Sequence, residues 1–170
     1  MEAYNNTYLI DLEHSMQARP AINKVYGEIW DRWDKITRAD NNLFADQFYH
    51  VDVILESTKC PICKIVVQEK ALRAEFAHYN CLTMEYMQDR RSGECGEFFN
   101  LCAQYYFSGY INDDYSGFIK YRVINIPVFM AMFAELKIKF DIKPTKGSHA
   151  SFICFNYDDL PECCVIAKKG

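Results

Sequence analysis

Hydrophobic positions in the N-terminal part of the chain recur at steps of three and four residues. Between residues 19 and 37 the apolar members of this series are Ile22, Val25, Tyr26, Ile29, Trp30, Trp33 and Ile36. Such spacing places them on one face of a helix. We therefore predict an amphipathic helix over residues 19–37, with Pro20 near its start, where proline is tolerated. Glu28 falls at the edge of the apolar stripe.

The following segments are rich in β-branched residues and predict strands. Residues 50–56 and 64–72 are separated by a short turn, so an antiparallel hairpin is expected. A third strand is predicted over residues 82–88. Asp40-Asn41-Asn42 predicts a turn ahead of the hairpin, followed by a short aromatic segment over residues 43–49.

The C-terminal half continues the alternation of helix and strand. Aromatic and cysteine residues over 95–107 have helical spacing, with Gly109 as the helix stop. Later predicted elements are a strand at 118–126, a helix from Pro127 to about Lys137, a polar loop at 143–148 and a strand at 151–156. The order is α-β-β-β-α-β plus a further helix and strand, which predicts a mixed α/β fold.

The hairpin carries the residues most suggestive of chemistry. Side chains alternate faces along a strand, so Gln68 and Lys70 share one face and Glu69 points to the other. A lysine beside an amide on an otherwise apolar strand is costly to bury without partners. Asp52 on the neighbouring strand is a candidate partner. An acid, an amide oxygen and a lysine that converge in this way suit the binding of a divalent metal and a phosphate.

This layout resembles the PD-(D/E)xK nuclease superfamily, in particular its Mrr-type branch, in which glutamine replaces the second acid. The motif consists of Asp52 and Val66-Val67-Gln68-Glu69-Lys70. The resemblance implies a restriction-endonuclease-like αβββαβ core over about residues 19–126, with the last helix and strand as a C-terminal addition. It also implies a nuclease that hydrolyses phosphodiester bonds of DNA with Mg²⁺ or Mn²⁺.

The resemblance further assigns a role to each site residue. Asp52 is a metal ligand, and Gln68 is a weaker ligand or positions water. Lys70 is the general base or stabilises charge on the phosphate. Glu28 is an acid outside the metal's inner coordination sphere, or a ligand of a second metal. Three features depart from the family pattern: the glutamine at position 68, the charged Glu69, and Val51-Asp52 in place of a Pro-Asp pair.

Cysteine spacing predicts a different kind of site in the same region. Cys60-x2-Cys63 followed by His78-x2-Cys81 is a structural zinc signature. If residues 64–72 form one straight strand, its ends lie roughly 26 Å apart. One zinc ion with ligands at about 2.0–2.3 Å cannot bridge that gap. The segment is therefore either a compact, zinc-stabilised interaction module or the nuclease hairpin, and its β-branched residues favour the hairpin.

On the hairpin interpretation, Cys60 and Cys63 take partners elsewhere, such as Cys163 and Cys164, or simply form a tight turn. Cys95 and Cys102 are expected to pack on one face of the predicted helix. His50 shares the face of Asp52, and Glu85 and Tyr86 on the third strand reach the edge of the site if the sheet is ordered as in the family. For His50 a surface position is favoured, and for Glu85 and Tyr86 a structural role is favoured.

Composition and charge bound these interpretations. A chain of 170 residues with 50% apolar content predicts one core and a single domain over residues 1–170. The polar start and the shortness of the longest apolar run, residues 126–136, predict neither a signal peptide nor a membrane span. Eight cysteines without a secretion signal are expected to be reduced thiols or metal ligands in an intracellular, cytoplasmic protein.

The net charge of −4 weakens the prediction of nucleic-acid binding without excluding it, because phosphate contacts usually need a basic surface. It leaves a rival hypothesis of another class open: a non-catalytic acidic binding protein of phage type that inhibits a nucleic-acid enzyme. Its carboxylates would then stand where that enzyme expects phosphates, and its partner would be a protein.

Overall fold

The computed structural model describes residues 2–39 and 50–170. In these residues the fold is mixed α/β, as predicted, with two β-sheets. The helices are α1 (Glu2–Ile29), α2 (Glu97–Asn100) and α3 (Ile126–Ala134). The strands are β1 (Lys35–Arg38), β2 (Val53–Ser57), β3 (Cys60–Arg73), β4 (Cys81–Asp89), β5 (Glu94–Cys95), β6 (Tyr105–Ile111), β7 (Phe118–Asn125), β8 (Asp141–Pro144), β9 (Ser151–Asn156) and β10 (Val165–Lys169).

Six strands form the larger sheet in the order β1-β2-β3-β6-β7-β10. The first three strands are antiparallel neighbours, and β7 is antiparallel to both β6 and β10. β3 and β6 are parallel, from Val67 opposite Tyr105 to Arg73 opposite Ile111. A parallel pair needs a crossover connection. Here the crossover is residues 74–104, which include β4, β5 and α2.

The smaller sheet has the order β5-β4-β9-β8 and lies over one face of the larger sheet. Side chains of β4 and β9 pack with those of β6, β7 and α3 in one apolar cluster. Helix α1 covers the other face and packs on β2, β3, β6 and β7 in a second cluster. The larger sheet is thus the middle layer of three, and its central strands are covered on both sides.

The N-terminal helix differs from its prediction at both ends. Its buried stripe is Ala18, Ala21, Ile22, Val25 and Tyr26, which matches the helical spacing. The helix begins well before residue 19, so Pro20 lies in its interior. It ends at Ile29 because the next residues turn and form β1, which pairs with β2. That long-range pairing overrides the helical spacing of Trp33 and Ile36.

The predicted helix over residues 95–107 is wrong. Only Glu97–Asn100, which contains Phe98 and Phe99, is helical, and Tyr105, Tyr106 and Phe107 belong to β6. β6 lies between β3 and β7 and is buried on both faces. A strand in such a position has a continuous apolar run without alternation, and periodicity alone does not distinguish it from a helix. Cys95 and Cys102 are exposed and share no helix.

Other predicted elements are close to those observed. The strands expected at 64–72, 82–88, 118–126 and 151–156 correspond to β3, β4, β7 and β9. The helix after Pro127 is confirmed, with Pro127 in its first turn and Asn125 Oδ1 accepting a hydrogen bond from the Val128 N–H. The expected αβββαβ assignment differs, because β4 belongs to the second sheet. β8 and β10 were not predicted, and residues 40–49 lie outside the described residues. Of the described helices, none is long and apolar enough to cross a lipid bilayer.

Gly109 lies in β6 rather than at a helix stop, and its missing side chain is required there. A Cβ at this position would lie 2.7 Å from Phe118 Cδ1 and 2.9 Å from Tyr121 Cβ on the adjacent strand. Any larger residue must therefore push β7 or the Phe118 ring away. The close approach of β6 and β7 depends on this glycine.

Gly109→Ala is expected to lower the free energy of unfolding by about 1–3 kcal/mol, the usual cost of overpacking a core. Gly27→Ala is the matched control, because its Cβ would meet nothing within 4 Å. Because residue 27 lies inside α1, replacing its glycine with alanine should raise the free energy of unfolding by about 0.5–1 kcal/mol. Urea unfolding of the two variants measures both values. A neutral Gly109→Ala would contradict the close packing of β6 on β7.

Candidate functional site

The structure holds Asp52 against the motif on β3. Asp52 directly precedes β2, and its backbone N–H donates to the Val67 carbonyl at 3.1 Å. Its carboxylate Oδ2 accepts a hydrogen bond of 2.7 Å from the backbone N–H of Glu69. The first acid of the motif is therefore fixed beside the strand that carries Gln68 and Lys70, as the hairpin prediction requires.

The alternation of faces along β3 is confirmed. Val67 and Ala71 pack under α1, whereas Leu72 packs in the cluster between the two sheets. Glu69 consequently belongs to the α1 side, and Gln68 and Lys70 face the smaller sheet. Glu69 thus lies in different surroundings from Gln68 and Lys70.

Gln68 offers an oxygen with no protein partner. Its side-chain Oε1 is buried and makes no hydrogen bond within the described residues. Gln68 and Asp52 both line a cavity of about 220 Å³, together with Arg19, Arg38 and Glu69. Leaving a buried carbonyl oxygen unpaired costs roughly 1–3 kcal/mol. A buried oxygen without a protein partner is typical of a position that a ligand or an ordered water completes.

Lys70 is held in a pocket of polar and aromatic groups. Its Nζ donates to the Thr83 carbonyl at 3.2 Å, lies 4.0 Å from Glu97 Oε1 and stands 4.9 Å from the centre of the Phe152 ring. Glu97 Oε1 also accepts a 3.0 Å hydrogen bond from the Tyr106 hydroxyl. Tyr106 is the neighbour of Gln68 in the parallel pair. Glu97 and Tyr106 therefore link the surroundings of Lys70 and Gln68.

Glu97 is a site residue that the sequence did not suggest. It opens the four-residue helix α2 after Gly96, and no motif marks it. Its carboxylate reaches Lys70 only because the crossover brings the smaller sheet over β3. The backbone N–H of Glu85 donates to the same carboxylate oxygen at 3.1 Å.

Glu85 and His50 lie within electrostatic reach of this group. Burial and the nearby Glu97 carboxylate raise the pKa of Glu85, while Lys70 and His50 act in the opposite direction. Glu85 therefore lies near Glu97 and Lys70, but on a strand of the smaller sheet rather than in the sheet order on which its predicted position depended. Tyr86 instead packs on the rings of Phe98 and Phe99.

Under α1, Glu69 forms a buried ion pair that the sequence did not suggest either. Its carboxylate accepts hydrogen bonds from Arg38 and, at 2.8 Å, from the Tyr26 hydroxyl. A second Arg38 nitrogen donates to Asn23 Oδ1 at 2.5 Å. Burial raises the pKa of Glu69, while Arg38 and Tyr26 oppose that rise. Arg38 and Glu69 also line the cavity that Asp52 and Gln68 line.

Glu28 lies elsewhere. It is exposed near the end of α1 and lines a separate cavity of about 370 Å³ with Tyr121, Lys168 and Lys169. Asp52 and Gln68 do not line that cavity. The structure therefore does not bring Glu28 to the other members of the predicted site.

The four residues of the zinc signature do not come together either. Cys60 and Cys63 are joined in a disulfide at the start of β3, so the expectation of reduced thiols fails for this pair. His78 and Cys81 follow the end of β3, whose 14 residues span roughly 43 Å. His78 Nδ1 is 2.8 Å from the Glu75 carbonyl oxygen. Within residues 2–39 and 50–170, no group of three or more His, Cys, Asp or Glu is arranged to hold a metal.

The other proposed partners of Cys60 and Cys63 are not used. Cys163 is exposed, and Cys164 is buried with its thiol donating to the Pro161 carbonyl at 3.0 Å. Burial raises the pKa of Cys164 to about 11.

Arg38→Met is expected to lower the free energy of unfolding by about 3–5 kcal/mol at neutral pH, because it leaves the buried Glu69 carboxylate without its cation. The pKa of Glu69 then rises further above its unfolded value. A group with a raised folded pKa loses its stabilising effect as pH rises. The loss should therefore be larger at about pH 8 than at about pH 5.

The double variant Arg38→Met/Glu69→Gln is the control, since it removes the buried charge together with its partner. Denaturant unfolding at both pH values should show most of the stability restored and the extra pH dependence abolished. Equal stability of the single and double variants at about pH 8 would contradict a charged, buried Glu69.

Comparisons of the chain with protein-family models, with curated proteins and with solved structures returned no match. The geometry of the described residues and the motif in the sequence are therefore the basis for the functional proposal.

Proposed function

We propose that this protein is a metal-dependent nuclease that hydrolyses phosphodiester bonds of DNA at the site formed by Asp52, Gln68 and Lys70. One observation carries the proposal: the Asp52 carboxylate is held against β3 by the Glu69 N–H, and the neighbouring Gln68 on that strand has a buried, unpartnered Oε1. The residue order Asp52, Gln68 and Lys70 supports it, as the pattern that resembles the PD-(D/E)xK superfamily.

The donor atoms suit Mg²⁺ or Mn²⁺. Both cations prefer oxygen ligands, and Mg²⁺ is commonly bound by one or two carboxylates, waters and substrate phosphates rather than by a complete protein cage. Asp52 and Gln68 Oε1 would hold the ion. A bound divalent metal would stabilise charge on the phosphate and lower the pKa of its water.

The protein's own groups have distinct roles in this proposal. The Glu69 N–H fixes the orientation of the Asp52 carboxylate through the 2.7 Å hydrogen bond. The ammonium of Lys70 would stabilise the negative charge that develops on the phosphate oxygens. Its 4.0 Å separation from Glu97 is too long for a tight ion pair, so Lys70 can exchange this contact for a phosphate oxygen.

Two arginines lie at this cavity despite the acidic composition. Arg19 and Arg38 line the cavity of Asp52 and Gln68, and guanidinium groups bind phosphate oxygens in bidentate fashion. Asp52 and Glu69 line the same cavity, and Arg38 is paired with Glu69. The arginines therefore offset the carboxylates at this cavity, where the net charge of −4 of the whole chain does not apply.

A second candidate is the non-catalytic binding protein that inhibits a nucleic-acid enzyme. The contacts of Lys70 favour it, since Thr83, Glu97 and Phe152 together give this lysine a structural role. On this hypothesis the ordered polar groups preserve the fold, and the acidic surface contacts a protein partner. Metal binding and cleavage separate the two candidates.

The test is calorimetric titration of metal-stripped protein with Mn²⁺ and Mg²⁺, together with cleavage assays on plasmid and single-stranded DNA. We expect metal binding to be lost in Asp52→Asn, because a neutral amide replaces the charged ligand. Cleavage should fall by about 100-fold or more in Asp52→Asn and in Lys70→Met, the scale for removing one group that stabilises transition-state charge.

Glu28→Gln is the matched control, since it also neutralises one acid but lies on another cavity, and it should keep both metal binding and cleavage. Thermal unfolding of each variant verifies that its fold is intact. Absence of Asp52-dependent metal binding and of cleavage in the wild type would reject the nuclease and favour the binding protein.

A further inference from the structure

Two cysteines lie close together on adjacent strands of the smaller sheet. Cys81 on β4 is opposite Asn156, and Cys154 on β9 is opposite Thr83. Their side chains are diagonal neighbours on the same face of this antiparallel pair. Both thiols are partly exposed, and both residues line the same cavity.

The surroundings make the two thiols unequal. The Tyr110 hydroxyl lies 3.8 Å from Cys81 Sγ and donates to the Cys81 carbonyl at 2.9 Å. Interaction with the Cys154 thiol lowers the pKa of Cys81 to about 6, with Tyr110, Lys143 and Lys70 acting in the same direction and burial against it. Interaction with Cys81 and burial raise the pKa of Cys154. Cys81 is therefore the nucleophile of the pair.

Both thiols open onto one cavity of about 380 Å³, whose walls are mainly apolar. Tyr79 and Phe152 supply aromatic surface, and Lys70 and Lys143 supply positive charge. Such a cavity suits a small organic molecule with an apolar body and an anionic group.

We propose that Cys81 and Cys154 form a reactive dithiol site that reduces small anionic organic disulfides entering this cavity. The Cys81 thiolate attacks one sulfur of the disulfide, forms a mixed disulfide and expels the first thiolate. Cys154 gives its proton to solvent and attacks Cys81 Sγ, and the second thiolate leaves. One small disulfide is thus reduced to two thiols while the protein gains a Cys81–Cys154 disulfide.

Charged and titratable groups from each neighbouring element face this pair. Lys70 comes from β3, Tyr110 from β6, and Asp141 and Lys143 from β8. The two lysines favour the Cys81 thiolate. The pKa of Cys154 is raised mainly by Cys81 and by burial, with Lys143 opposing and Asp141 adding to the rise. The inference does not rest on the proposed nuclease, because neither thiol belongs to that site, although Lys70 is a neighbour of both sites.

The probe for the test is 5,5′-dithiobis(2-nitrobenzoate), an aromatic disulfide with two carboxylates, reacted with the wild-type protein at pH 6. At this pH, roughly 0.3% of an ordinary thiol with a pKa of about 8.5 is ionised to thiolate, whereas about half of Cys81 is ionised. The lower intrinsic nucleophilicity of Cys81 offsets roughly tenfold of this advantage. Peptide mapping by mass spectrometry should therefore find Cys81 modified about tenfold faster than the exposed Cys95, Cys102 and Cys163.

The stoichiometry tests the second step. Wild-type protein should release two equivalents of thionitrobenzoate in the fast phase and contain a Cys81–Cys154 disulfide. Cys154→Ser should release one equivalent and retain the mixed disulfide on Cys81, and Cys81→Ser should lose the fast phase. Cys102→Ser is the matched control, since it removes an exposed thiol away from the cavity and should keep the fast phase.

Two results would overturn the proposal. One is modification of Cys81 no faster than that of the three exposed cysteines in the wild-type protein. The other is a free Cys154 after Cys81 has reacted. Neither result depends on metal or DNA, so failure of the dithiol site is distinguishable from failure of the nuclease.

Discussion

The parallel pairing of β3 with β6 is the constraint on which the rest of the structure depends. Seven consecutive residue pairs join the two strands, and a parallel pair cannot be closed by a short turn. The chain must leave the sheet after β3 and return along residues 74–104. In doing so it forms β4, β5 and α2, which together with β9 cover the face of the sheet opposite α1.

This double coverage gives one strand two chemically different sides. Towards α1, Glu69 is committed to Arg38 and Tyr26. Towards the smaller sheet, Gln68 has an unpartnered oxygen, and Lys70 reaches both Glu97 and the cavity of the two thiols. Asp52 is bonded to the backbone between these sides. The proposed metal site and the proposed dithiol site therefore share Lys70 as a neighbour.

Local pattern predicted what depends on local chemistry. β-branched content and alternation identified β3 and its two faces, and Pro127 marked the start of α3. Pattern failed where long-range pairing decides the conformation: residues 35–38 became a strand, and the aromatic run of β6 resembled a helix. The partners Glu97, Arg38 and Cys154 were also missed, because they come from segments distant in sequence whose approach follows from the sheet order.

The open edges of the two sheets have a consequence for the behaviour of the protein at high concentration. Unpaired N–H and C=O groups on an edge strand can recruit a strand from another copy, and natural proteins prevent this with short strands, lysine and proline. β1 carries Lys35 and Arg38, β10 ends in Lys168 and Lys169, and β5 has two residues. β8 has four residues and ends at Pro144, which lacks an N–H. Edge-to-edge growth into aggregates is thereby disfavoured at the four sheet edges that residues 2–39 and 50–170 form.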